Sequence, residues 1–158
     1  VWFSRKPLRE LTHEQLVRSL HVALRLPADA SGQRFGQWRR EVFRKPPMPV
    51  QDQRGFELPT ADAWQRMLFL MNNPQLDRAV RGADATILTP ALLKRPAGEI
   101  ADTLCLAVLT RRASDAEQAL LAAELRKLGP RAAPAELLAL WQDFLWALFN
   151  SNEFVLRH

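Results

Sequence analysis

The sequence predicts an all-α domain, an irregular orthogonal bundle of six to eight helices, and three observations predict it. Apolar residues recur at the three- and four-residue spacing that lines one face of a helix, while period-two alternation is nowhere sustained. Two capping boxes, Thr12 to Gln15 and Ser114 to Glu117, each open an apolar run. Between the runs stand short Pro- and Gly-bearing connections, with no Asn-Gly or Asp-Gly hairpin turn between β-branched segments. Many short helices joined this way point to an irregular bundle and away from a simple four-helix up-and-down arrangement.

Residues 1–11 read as an extended lead-in, because Pro7 biases Lys6 away from helix. The first helix follows: Thr12 is its N-cap, and Leu11 with Leu16 supplies a hydrophobic staple. Leu16, Leu20, Ala23 and Leu24 form its stripe, with Arg18, His21 and Arg25 opposite, and it ends before Pro27. A basic helix over about 33–44 places Phe35, Trp38 and Val42 together. Four prolines and a glycine then make 45–59 (KPPMPVQDQRGFELP) the longest irregular stretch, a surface loop or binding segment.

Thr60 caps a helix whose AWQRMLFLM core is apolar on nearly every side. Asn72, Asn73 and Pro74 turn the chain into a short helix that stops at Gly82, and 86–95 hold another turn or two. From Pro96 to about Arg111, Ile100, Leu104, Ala107 and Val108 make a stripe while Cys105, Leu106 and Leu109 cover other sides. A helix apolar all round belongs at the centre of the bundle. The next helix carries Leu121, Leu125 and Leu128 on one face and stops at Gly129 and Pro130; Pro134 opens the last.

At 158 residues and 47% hydrophobic, the chain suits one domain, 1–158, that buries roughly 70% of the unfolded surface. Val1 is not a methionine, so the chain is expected to be either processed or a fragment of something longer. No apolar run reaches the ~20 residues of a membrane span. The lone Cys105 excludes an internal disulfide and reads as a buried thiol.

Chemistry-bearing motifs are scarce. His13, His21 and His158 are scattered, and HExxH, CxxC, CxxCH, a phosphate-binding glycine loop and a nucleophile elbow are absent. No metal site, no cofactor and no catalytic residue is therefore expected in this segment. Glu124, between Leu120 and Leu128, falls on the arc its helix should bury and reads as a rim carboxylate or an ion-pair partner of Arg111 or Arg112. The net charge of +5 is dispersed and mostly Arg. Trp38 stands beside Arg39 and Arg40, with Arg44 and Arg54 beyond, an aromatic–basic pattern found in single-strand binders. The simpler reading is a solvated basic helix, and nucleic acid is not the expected partner.

On the last helix Leu137, Leu138, Leu140, Trp141, Phe144, Leu145, Leu148 and Phe149 cover an arc of about 180°. Trp146 lies outside it, with Ala139, Gln142 and Asp143. It is either half-covered or a contact for another domain or chain.

The ending, Leu145 to Phe154 (LWALFNSNEF), resembles the "ALLNSNEFL" terminus of a large bacterial family abundant in planctomycetes. That family carries paired domains of unknown function, often fused to a cytochrome c-like module. Arg5 to Leu16 (RKPLRELTHEQL) is similar to its "RRLxAEQL", Met67 to Pro74 (MLFLMNNP) to its "ALxLLNxP", and Leu109 to Glu117 (LTRRASDAE) to its "LxRxPTxxE", all in order. The stretch 51–59 is poorer in Arg and Thr than the family's corresponding run. The resemblance implies the C-terminal domain of an exported protein, in the periplasm or at the cell surface, and assigns no catalytic residue. Asn72, Asn73, Asn150, Ser151 and Glu153 are the motif residues it points to, and their simplest role is to cap helix ends and satisfy loop backbone.

The reading is thus a non-catalytic helical domain packing against an upstream domain or a protein partner through its last helix and the proline-rich loop. The alternative is a module binding an anionic ligand such as a charged polysaccharide through Arg39, Arg40, Arg44 and Arg54. A third, an enzyme using Glu124 or Glu153, requires a pocket around those carboxylates.

Overall fold

A computed structural model of the chain describes residues 9–11, 13–26, 36, 37, 40, 71–81 and 87–157. The fold is all-α: seven helices are found among the described residues. Their ranges are α1 His13–Ala23, α2 Pro74–Arg81, α3 Pro90–Leu93, α4 Ala97–Leu109, α5 Asp115–Leu128, α6 Pro134–Phe149 and α7 Asn152–Val155. One two-residue ribbon accompanies them. β1 (Arg9–Glu10) pairs antiparallel with β2 (Leu156–Arg157), Arg9 opposite Arg157 and Glu10 opposite Leu156, so the lead-in is tied to the end of the chain.

The α1 stripe is buried as its spacing requires, with Leu16, Leu20, Ala23 and Leu24 all in the core. The helix ends in a Schellman motif: Leu26 N–H donates to the His21 carbonyl, Arg25 N–H donates to the Val22 carbonyl, and Arg25 takes a left-handed φ of 51°. The capping residue Thr12 lies outside the described residues. So do most of the basic helix, the proline-rich loop and the AWQRMLFLM segment, of which only Gly36, Gln37, Arg40 and Met71 are described.

Asn73 opens α2. Its side-chain oxygen accepts from Leu76 N–H at 3.2 Å and its carbonyl from Asp77 N–H, which satisfies first-turn donors inside the core, where Asn73 is itself buried. Leu76, Ala79 and Val80 then face inward. Thr89 caps α3 in the same manner by accepting from Leu92 N–H.

Helix α4 is central, packing against α1, α5, α6 and α7. Ile100, Ala101, Leu104, Cys105, Val108 and Leu109 are buried on it. Burial does not extend all round, however: Leu106 is 48% exposed. Neighbours occupy most of the circumference of α4 and leave one strip open, so apolar residues on every side overstate its burial.

On α5 the buried anchor is Leu121, with Leu125 packed beside it, whereas Leu120 is 59% exposed. The inward face is thus turned away from the Leu120–Glu124 arc. Glu124 pairs with Lys127 at 2.7 Å, one turn along its own helix, and not with Arg111 or Arg112. The helix closes at Gly129, whose φ of 79° is costly for any residue with a Cβ.

Helix α6 buries Trp141, Leu145, Leu148 and Phe149, and half-buries Leu138, Leu140 and Phe144. Trp141 meets Phe144 edge to face at 6.3 Å, and Phe149 meets Phe154 of α7 in the same way at 5.1 Å. The tail therefore folds back into the core through Phe154 instead of trailing from α6.

Candidate functional site

The α4–α5 connection and the α6–α7 corner meet at one cluster of charges. Thr110 ends α4 with φ 59° and ψ 19°, a left-handed conformation that is unusual for a β-branched residue, and its hydroxyl donates to the Leu109 carbonyl at 2.7 Å. This sharp exit directs Arg111 across α5 toward α7. Ser114 then caps α5 in a complete box: Glu117 N–H donates to Ser114 Oγ, and Ser114 N–H donates to Glu117 Oε2 at 2.7 Å.

Arg111 spends every donor it has. Nε donates to Glu153 Oε1 at 2.7 Å and Nη2 to Glu153 Oε2 at 2.8 Å. Nη1 donates to Glu117 Oε2 at 2.8 Å and Nη2 to Glu117 Oε1 at 2.9 Å, while the fifth proton goes from Nη1 to the Arg112 carbonyl at 2.9 Å. Two bidentate forks on one planar guanidinium use its fixed geometry fully, which a lysine ammonium cannot reproduce. The three side chains are between 24% and 36% exposed. Hydrogen bonds from Arg111 and Ser114 hold the Glu117 carboxyl down at about 2. Its bonds to Glu117 and Glu153 in turn push the Arg111 guanidinium upward.

Asp102 of α4 straps the connection from its other side, accepting from Ala113 N–H at 3.0 Å and from Arg112 Nη1 at 3.0 Å. Under the cluster lies the Cys105 thiol. Burial, reinforced by the Glu117 charge, pushes it up to about 11, so it stays protonated and unreactive.

At the α6–α7 corner, Asn150 donates through Nδ2 to the Trp146 carbonyl at 2.8 Å, and its buried Oδ1 finds no donor among the described residues. Ser151 Oγ donates to the Leu148 carbonyl at 2.7 Å and accepts from Phe154 N–H at 3.3 Å, which caps α7. Asn72 is exposed beside the buried Asn73.

Trp146 is half-buried against the core, and the Arg81 guanidinium lies 5.9 Å from its ring centroid. Arg81 also pairs with Asp77 at 3.1 Å and Asp143 at 2.8 Å, and its carbonyl accepts from Gln142 Nε2. Helix α2 thus supplies the cover that a wheel drawn for α6 alone leaves out.

Of the basic residues proposed for anion binding, Arg40 is helical and exposed, while Arg39, Arg44 and Arg54 lie outside the described residues. The structure brings Glu153 to Arg111 and Glu117, a convergence that sequence spacing did not disclose. It places Glu124 apart, with Lys127. Among the described residues no group of three or more His, Cys, Asp or Glu side chains is arranged to hold a metal ion, and no helix is long and apolar enough to cross a membrane.

No protein-family profile, curated protein or solved structure matches the chain.

Proposed function

We propose that the chain is a non-catalytic helical domain that packs against a neighbouring domain or partner protein, and that it is the C-terminal domain of an exported bacterial protein of the family its ending resembles. The observation that carries the non-catalytic reading is the saturation of Arg111. Its five donors and both carboxylates that it grips are used inside the fold, which leaves Glu153 no role as a free acid or base. The resembling segments LTRRASDAE and NSNEF meet in this clamp, so the residues that suggest kinship serve architecture here.

The partner surface is the open side of Trp146 with Asp143 and Ala147 exposed around it. A half-covered Trp under an Arg is a composition favoured at interface centres. Trp146→Ala, followed by gel filtration in an extract of the natural host and by thermal melting, tests the proposal. Lost association with a preserved melting temperature supports it; if both stay unchanged, it is wrong.

The second reading, an anionic polysaccharide held by Arg39, Arg40, Arg44 and Arg54, draws on the exposed Arg40 and the +5 charge. Retention on heparin, compared with the quadruple Arg→Ala variant, separates it from the first.

A further inference from the structure

Away from the Arg111 clamp, an apolar cleft of about 290 Å³ opens where the α3–α4 junction, the end of α5 and the first turns of α6 come together. Leu93, Ile100, Leu125, Leu137 and Trp141 form its walls. Its volume lies just below the ~300–1,000 Å³ of small-molecule sites, and its walls are of the apolar and aromatic kind such sites use. One charged side chain lines it, that of Arg95, which is 59% exposed. The guanidinium has only a long 4.0 Å approach to Glu99 among the described residues, so its donors are largely uncommitted.

Arg95, as the one charged side chain of the lining, favours an anion over a cationic ligand. The segments 93–100 and 124–138, which border the cleft, carry five Lys or Arg against three Glu. The two helices that begin at the cleft have Pro96 and Ala133 as N-caps, with Glu99 and Glu136 in their first turns and Glu136 Oε2 accepting from Ala133 N–H at 2.7 Å.

We propose that this cleft binds a small apolar carboxylate, a medium-chain fatty acid or a molecule of that shape, with the alkyl chain along Leu137 and Trp141 and the carboxylate on Arg95. The site is independent of the partner surface at Trp146 and stands or falls without it.

Octanoate titrated into the labelled 158-residue chain and followed by two-dimensional amide NMR tests the site. Saturable shifts confined to 93–100 and 134–141 are expected, with octanol binding at least tenfold more weakly. Arg95→Gln, at an exposed position, should reduce octanoate affinity at least fivefold and leave octanol unchanged. Leu137→Trp should block both ligands while the spectrum stays dispersed. Shifts that do not saturate, equal binding of octanol and octanoate, or an Arg95→Gln variant that binds octanoate as well as the parent each overturn the proposal.

Discussion

Arg111 and Glu153 stand 42 residues apart in the chain and meet through two parallel hydrogen bonds of 2.7 and 2.8 Å. The same guanidinium grips Glu117 in a second fork, so three helices, α4, α5 and α7, are joined at one planar group. Removal of Arg111 leaves two carboxylates facing each other without the four hydrogen bonds it donates to them. Arg111→Ala is expected to cost about 2–3 kcal/mol, at the lower side of broken buried pairs because a third of the side chain is exposed. Arg111→Lys should recover less than half of this, since an ammonium makes no bidentate fork. Urea unfolding of the three proteins measures both, and a Lys variant as stable as the parent would mean that geometry contributes nothing.

This clamp shows where the sequence was legible and where it was not. The Ser114–Glu117 box and the Leu16, Leu20, Ala23, Leu24 stripe are local, set by three- and four-residue spacing, and both are present. The Arg111–Glu153 fork is non-local and has no spacing rule, so the resembling motifs named its members without pairing them. Glu124 was misplaced for a related reason. A wheel gives angles around one helix but not which arc the neighbours cover, and on α5 that arc runs through Leu121 and Leu125, leaving Leu120 in solvent. Trp146 is half-covered because Arg81 reaches it from α2, a contact no inspection of α6 contains.

Acid should loosen the clamp. The folded Glu117 carboxyl sits at about 2, below the ordinary unfolded value of ~4.3. The stability it contributes is therefore complete above the unfolded value and is lost as pH falls from about 5 toward 2. Urea midpoints measured across that range should decline with pH, and Glu117→Gln should flatten part of the decline. Parallel profiles for the two proteins would show that Glu117 is not the group responsible.

The orientation of α5 predicts a contrast between adjacent residues. Leu121→Ala removes a side chain that is 5% exposed and should cost about 2–4 kcal/mol, whereas Leu120→Ser, at a position 59% exposed, should stay within about 0.5 kcal/mol. Thermal melts of the two variants decide it. Equal losses would place the buried arc where the isolated wheel puts it.

Thr110 holds a left-handed conformation that costs a β-branched residue on the order of 1 kcal/mol. Glycine occupies that region freely but adds entropy to the unfolded chain and deletes the hydroxyl bond to the Leu109 carbonyl. Relief of strain and these losses nearly cancel, so Thr110→Gly should change stability by less than about 1 kcal/mol. Thr110→Val keeps the branched shape and the strain while removing the hydroxyl, and should be the less stable of the two. A Val variant more stable than the Gly variant in urea would remove strain from the account.

Cys105 offers a readout of whether the core beneath the clamp opens. Its thiol is fully buried, and burial with the nearby Glu117 charge pushes it up to about 11, so at neutral pH both access and ionisation oppose alkylation. Iodoacetamide labelling of the folded chain should be slower than that of the urea-unfolded chain by at least two orders of magnitude. Arg111→Ala should accelerate it, because the rate in the folded state follows the population of open molecules and the clamp joins the helices that cover the thiol. Labelling of the parent at the unfolded rate would mean that α4 is not enclosed, while an unchanged rate in Arg111→Ala would mean that opening at Cys105 does not pass through the clamp.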